Sequence, residues 1–278
     1  MIVFPNAKIN LGLRILRKRN DGFHDIETIF YPIPLCDALE ILPAHTAGPS
    51  FQCTGLATNI PAGQNLVLKA YDLLKTHFPE IPPVHIFLHK AIPAGAGLGG
   101  GSADASFTLQ LLCRLFRLSA TDALLRQLAL RLGSDCPFFL YNKPCLGTGR
   151  GELLHPVSPD LKNYTWVLIN PGIHVSTAAA FAAISPQEPT ESLSELIQLP
   201  PAQWQDRVIN DFEKPVFALY PEIGAIKEKL LSAGAVFASM SGTGSTVFGL
   251  FDRQEPQLPA FPDHYFVRNG RWSVDSGQ

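Results

Sequence analysis

Apolar and polar residues alternate from Asn6 to Leu13: Ala7, Ile9, Leu11 and Leu13 fall on one side of a predicted strand, Asn6, Lys8 and Asn10 on the other. Residues two apart on a strand point the same way at roughly 6.6 Å spacing. One face therefore carries an amide, an ammonium and a second amide in a row, which reads equally as a solvated edge or as a functional strip. Pro5 interrupts the strand early, and the polar run Arg17 to His24 contains an Asn-Asp-Gly turn signal. Short strands are expected near 26–33 and 38–42. The period then changes: Leu66, Ala70, Leu73 and Leu74 recur at helical spacing between Asn65 and Phe78, with Pro79 closing the helix. Val84 to His89 reads as a strand, and a glycine-rich stretch opens a helix carrying Phe107, Leu111, Leu112, Leu115 and Phe116. A second helix is expected at 121–132, capped by Thr121 or Ser119 and ended by Gly133, and Phe138 to Tyr141 reads as a short buried strand.

Past Gly151 the texture changes. A strand at 164–169 is followed by a small helix after Ser176-Thr177, and the polar, proline-containing stretch 185–206 is the best candidate for a mobile surface insertion. Asn210 and Glu213 resemble a capping box opening one helix toward Ala233. Ala235 to Met240 and Val247 to Phe251 read as strands flanking Ser241-Gly242-Thr243-Gly244-Ser245, and Asn269-Gly270 carries a hairpin signal. Strands and helices mix without strict alternation, which predicts an α+β fold in two halves, 1–150 and 151–278.

Composition narrows the partners. The chain has 278 residues, 46% of them hydrophobic and 17% charged, with a formal net charge of -2. That is ample material for a core, and there is no basic excess to carry a general attraction to nucleic acid. The five cysteines form no Cys-x-x-Cys pair and no zinc-like spacing, which suits reduced thiols in a cytoplasmic protein. Neither a signal peptide nor a transmembrane span is expected. A small anionic ligand needs only a local site and remains open.

Pro93-Ala94-Gly95-Ala96-Gly97-Leu98-Gly99-Gly100-Gly101-Ser102-Ala103 is that site's candidate. Glycines let backbone approach phosphate oxygens, and the first N–H groups of the following helix, with its dipole, favour negative charge. Ser102 stands where its hydroxyl could also reach a phosphate or a Mg²⁺ ion. Tight helix–sheet packing also uses glycine, but five within Gly95–Gly101 exceed that need. A Walker A loop is excluded because no lysine occurs in the stretch. A dinucleotide fingerprint matches at Gly95, Gly97 and Gly100, yet the second strand with its acidic tip is missing.

The stretch 93–103 resembles the central motif of the GHMP small-molecule kinases. Asn6-Ala7-Lys8-Ile9-Asn10-Leu11-Gly12-Leu13 is similar to their first motif, and Ser241-Gly242-Thr243-Gly244-Ser245-Thr246 to their third, so the resemblance spans nearly the whole chain. Arg19-Asn20-Asp21-Gly22-Phe23-His24 and Gly133-Ser134-Asp135-Cys136-Pro137-Phe138 narrow it to the branch whose substrate is 4-diphosphocytidyl-2-C-methyl-D-erythritol, in non-mevalonate isoprenoid precursor biosynthesis. The resemblance implies ATP and Mg²⁺ as cofactors, phosphorylation of the substrate's 2-hydroxyl, and a two-domain fold with its active site in the inter-domain cleft. It implies Asp135 as general base and Lys8 as the cation beside it, with ATP held by Asn65 and by residues 93–103, namely Pro93, Ala94, Gly95, Ala96, Gly97, Leu98, Gly99, Gly100, Gly101, Ser102 and Ala103. Asn10, Phe23, His24, Thr177 and Phe181 would contact the substrate, the cytosine lying against Phe23 and Phe181 with a hydrogen bond from His24. The family usually carries Tyr at Phe23; stacking survives the change and the phenolic contact does not. Asn65 reads equally as a helix cap, Asp135 as a turn residue and Phe181 as core. The alternatives are a GHMP kinase acting on another alcohol and a non-catalytic nucleotide-binding protein. No metal ligand is assigned, the expected partner is the small molecule alone, and the expected state is a monomer or weak homodimer.

Overall fold

The computed structural model describes residues 1–45, 48–56, 61–187, 189–253 and 255–272. The strands run β1 (Ile2–Val3), β2 (Asn6–Lys18), β3 (His24–Cys36), β4 (Ala38–Pro43), β5 (Ser50–Gly55) and β6 (Val84–Lys90), with helix α1 (Leu66–His77) before β6. Helices α2 (Gly100–Phe116), α3 (Asp122–Leu132) and α4 (Cys136–Tyr141) follow, then β7 (Cys145–Thr148), β8 (Leu153–Pro156) and β9 (Thr165–Asn170). Helices α5 (Thr177–Ala182), α6 (Leu193–Leu196), α7 (Glu213–Leu219) and α8 (Pro221–Ser232) precede β10 (Phe237–Met240), β11 (Val247–Phe251) and β12 (Phe266–Arg271). No described helix is long and apolar enough to cross a membrane. The α+β class expected from the pattern is the class found.

The chain divides into two units. The first comprises Met1–Ala7, Leu35–Ala94 and Gly99–Asn142. Its sheet has the order β1-β4-β6-β5, antiparallel except for the parallel β5–β6 pair. Alternation sets the faces: Val84, Ile86 and Leu88 of β6, with Leu39 and Ile41 of β4, pack on Val67, Tyr71 and Leu74 of α1 and Leu109 and Leu112 of α2. Caps fix the helix starts, since Asn65 Oδ1 accepts from Val67 N at 2.9 Å and Thr121 Oγ1 from Leu124 N at 3.2 Å.

The second unit comprises Lys8–Pro34, Gly95–Leu98 and Lys143–Gln278. It holds two sheets, β2-β3-β7-β8 and β10-β11-β9-β12. Its core joins Leu13 and Ile15 to Val167, Ile169, Met240 and Phe251 and to Ile223, Ile226 and Leu230 of α8. β2 and β3 are early in the chain, but they share a sheet with β7 and β8, so in this division most of both strands counts with the later residues.

Five local expectations are corrected. Phe138 to Tyr141 lies in α4, with Pro137 in its first turn, and an apolar run of that length fits a buried helix as well as a strand. Residues 210–233 form two helices, because Pro221 starts a new one after Tyr220. Glu213 does not complete a capping box: its carboxylate accepts from Ser239 Oγ and Met240 N, each at 2.8 Å, and from Lys227 Nζ at 2.6 Å. Asn269-Gly270 makes no hairpin turn; both residues pair within β12 against Val167 and Trp166, and a Cβ on Gly270 would stand 2.6 Å from the Trp166 ring. The stretch 185–206, of which Glu188 lies outside the described residues, is anchored rather than a polar surface insertion, for Leu193, Leu196, Ile197 and Trp204 are buried.

Candidate active site

Between β6 and α2 the chain makes the glycine-rich turn, crossing from the second unit to the first at Leu98–Gly99. In the second unit three of its carbonyls are engaged: Ala96 O accepts from Thr246 N at 3.2 Å, Gly97 O from Ser241 Oγ at 2.8 Å and Leu98 O from Lys8 N at 2.9 Å. A Cβ on Gly97 would meet the Ser241 carbonyl oxygen at 2.0 Å, which is why no side chain fits there. All three sequence motifs therefore converge on one run of backbone. In the first unit, Gly99 caps α2 in the left-handed region and no side chain caps that helix. What the helix start offers a ligand is N–H groups and the positive end of its dipole, which suits an anion.

Asp135 stands on the N-cap of α4 and makes no capping bond with its side chain. The next residue staples this turn to the start of α2: the Cys136 thiol is hydrogen-bonded to Ser102, and Ser106 Oγ donates to Cys136 O at 2.8 Å. Burial pushes that thiol up to about 12, so it stays protonated and structural. A Cβ on Gly133 would lie 3.8 Å from Ser102 Oγ. The turn that carries Asp135 is thus joined to the first turns of α2 within one unit. Asn65 spends its side chain on capping α1, and its neighbour Leu66 would touch a Cβ on Gly101 at 3.8 Å.

The polar strip of β2 is buried, not solvated. Lys8 is 2% and Asn10 1% exposed. Lys8 Nζ donates to Asn10 Oδ1 at 2.5 Å and lies 5.5 Å from the Phe30 ring centroid. Asn10 Nδ2 donates to Thr28 Oγ1 at 2.9 Å, and Asn10 N to Ser241 Oγ at 3.3 Å. Both ends of the Asn10 amide are therefore engaged within the protein.

The aromatic residues gather in the second unit. His24 and Phe181 stack with centroids 4.8 Å apart at 23°, and Phe181 meets Phe212 edge-on. Phe23 is 47% exposed, held by a turn in which Asp21 Oδ1 accepts from Phe23 N at 3.1 Å. The Arg150 guanidinium lies 3.9 Å from its ring centroid. Phe181 thus spends one face on His24, and Phe23 one face on Arg150. Thr177 Oγ1 is 3.3 Å from Thr243 Oγ1 in the third glycine loop.

Sequence reasoning missed Thr28, Ser241 as a bridging hydroxyl, Arg150, and a buried cluster beneath the start of α2. There Lys90 Nζ bonds Asp37 Oδ2 and, at 2.7 Å, Asp104 Oδ2, while Asp37 Oδ1 accepts from Ala91 N and Ile92 N at 2.6 and 2.9 Å. Burial pushes the Asp104 carboxyl up to about 7 against the opposing pull of Lys90. Of these, only Arg150 left a signal, as a cation between Gly149 and Gly151. Among the described residues no group of three or more His, Cys, Asp or Glu side chains could hold a metal ion.

Comparison with known proteins matches residues 65–143 to the GHMP kinases N terminal domain and residues 181–258 to the GHMP kinases C terminal domain. A protein of Azobacteroides pseudotrichonymphae named 4-diphosphocytidyl-2-C-methyl-D-erythritol kinase is 48% identical over 270 residues, 97% of this chain and 99% of that protein. A protein of the same name from Bacteroides fragilis is 51% identical over 92% of this chain and 93% of its own length. A crystal structure of 4-(cytidine 5'-diphospho)-2C-methyl-D-erythritol kinase superposes with a TM-score of 0.75 at 31% identity, covering 98% of this chain and 100% of the other. Homoserine kinase from Cytophaga hutchinsonii shares the fold, with a TM-score of 0.60 at 19% identity over 90% of this chain and 86% of its own. The chain belongs to the GHMP kinases, in the family of the 4-diphosphocytidyl-2-C-methyl-D-erythritol kinases.

Proposed function

We propose that this kinase transfers the terminal phosphoryl group of ATP to the 2-hydroxyl of 4-diphosphocytidyl-2-C-methyl-D-erythritol, in the cytoplasm, as a step of non-mevalonate isoprenoid precursor synthesis. The observation that carries the reading is Asp135, on a turn stapled through Cys136 and Ser102 to the uncapped start of α2. A tertiary hydroxyl attacking phosphorus must lose its proton, and Asp135 would accept it as the new O–P bond forms and ADP leaves. The backbone of residues 93–103 would cradle the triphosphate, and Lys8 would stabilise charge on the group in flight. His24, Phe23 and Phe181 would hold the cytosine, with Thr177 nearby. The names of the relatives favour this alcohol over homoserine or mevalonate.

A Mg²⁺ ion would arrive on the triphosphate and keep several waters. Bound so, it would neutralise phosphate charge. The test measures ADP release with the cytidylylated alcohol, homoserine and mevalonate in parallel. Turnover is expected with the first alone, and turnover on another alcohol with none on the first would overturn the assignment. Asp135→Asn should remain folded and lose roughly 10²- to 10⁴-fold in kcat with ATP affinity little changed; near-normal turnover would remove Asp135 as the base.

A further inference from the structure

We infer that Thr28 is a positioning residue for Lys8, acting through Asn10 by fixing which end of the Asn10 amide faces the ammonium. Thr28 is fully buried on β3, opposite Gly147 of β7. Its hydroxyl has one hydrogen to give. That hydrogen goes to Gly12 O, at 2.6 Å. The oxygen can then only accept, so the group that meets it at 2.9 Å must be the Asn10 –NH2 end. The carbonyl end is thereby turned the other way, where it accepts from Lys8 Nζ at 2.5 Å. Reversing the amide would set its oxygen against a hydroxyl with no hydrogen left and its –NH2 against an ammonium. Both contacts would be repulsive in a buried site where electrostatics are strong.

Polarity therefore runs in one direction, from the Gly12 carbonyl through Thr28 and Asn10 to Lys8. The main chain of Asn10 is held as well, by Ser241 Oγ, so the side chain has a fixed base from which to aim. Thr28 makes no use of charge and needs no contact with a reactant. Its part is to remove one of two orientations available to the amide that holds the cation. The inference rests on the role given to Lys8 above, and its test separates the two.

Thr28→Val keeps the shape and deletes the hydroxyl; Thr28→Ser keeps the hydroxyl and deletes the methyl. With rates corrected for the folded fraction, Thr28→Val is expected to lower kcat by roughly 10- to 100-fold, the scale of a small misplacement, with KM for ATP within about twofold of wild type. Thr28→Ser is expected to restore most of the rate although it too loses packing. Lysine carrying ¹³C at Cε, with the Lys8 resonance assigned from its loss in Lys8→Met, gives a readout independent of substrate. It should move in Thr28→Val and stay in Thr28→Ser. Should Thr28→Val fail to fold, Thr28→Cys replaces it, and its weakly donating thiol is expected to give an intermediate rate and shift. An unmoved Lys8 resonance with normal kcat, or equal losses in the Ser and Val variants, would overturn the inference. If the wild-type protein does not turn over the cytidylylated alcohol, the assigned reaction fails while the resonance still decides the role of Thr28.

Discussion

Two lysines are almost wholly buried, and the protein treats them differently. Lys90, 4% exposed, closes β6 in the first unit and is gripped by the carboxylates of Asp37 and Asp104. Lys8, on β2 in the second unit, is aimed by a neutral amide oxygen and lies over the Phe30 ring. An ammonium locked between two acids in its own unit is committed to the fold: it ties the segment entering the glycine turn to the helix leaving it. Where an ammonium meets an amide oxygen, hydrogen-bond polarity orients it, and the amide itself brings no opposite charge. Burial alone does not distinguish a structural cation from a chemical one; the kind of partner does.

Removing each ammonium should separate the two roles. Lys90→Met leaves two carboxylates buried together, and breaking a buried pair in this way costs about 3–5 kcal/mol. Guanidinium denaturation should show that loss, and unchanged stability would mean that the cluster is solvated or protonated throughout. Lys8→Met should leave stability nearly intact and lower kcat by roughly 10²- to 10³-fold, the scale of one charge-stabilising donor. If instead Lys8→Met unfolds the protein and Lys90→Met only slows it, the comparison is reversed.

The sequence told these lysines apart only in part, and the reason is physical. Lys8 was conspicuous because its own strand placed Asn6 and Asn10 beside it, two residues away on either side. Lys90 drew no notice, because its partners lie 53 and 14 residues away and meet it only in the folded chain. The same division holds for the fold. Asn65 and Thr121 were legible as caps because a cap acts within three residues. Asn269-Gly270 misled because its glycine serves the Trp166 ring on a neighbouring strand, and Leu193 and Trp204 looked like parts of a loose insertion because what buries them lies elsewhere in sequence. Thr28 was invisible for that reason too: its importance lies in which way one hydrogen points.

The acid that shares Lys90 offers the finest test. Asp104 is 2% exposed, and its Oδ1 has no hydrogen-bond partner. Its neighbours in the cluster are Lys90 and Asp37. Desolvation, the largest influence, and the Asp37 charge raise its pKa from 3.8 to about 7, while Lys90 pulls it down. The folded protein therefore holds this proton more tightly than the unfolded chain does. Its contribution is fully present below the unfolded value near 3.8 and is lost as pH rises through the folded value near 7. Asp104→Asn removes that titration while leaving Lys90 paired with Asp37. Relative to wild type, the variant should gain stability progressively between about pH 4 and pH 8, with a steepest slope no greater than about 1.4 kcal/mol per pH unit, and the difference should level off above that window. Urea denaturation of the two proteins across the range measures it, and subtracting the curves cancels the other carboxylates. Parallel curves would mean that Asp104 is already ionised in the folded protein at pH 5, so that both carboxylates grip Lys90 as full charges and the contrast with Lys8 becomes sharper still.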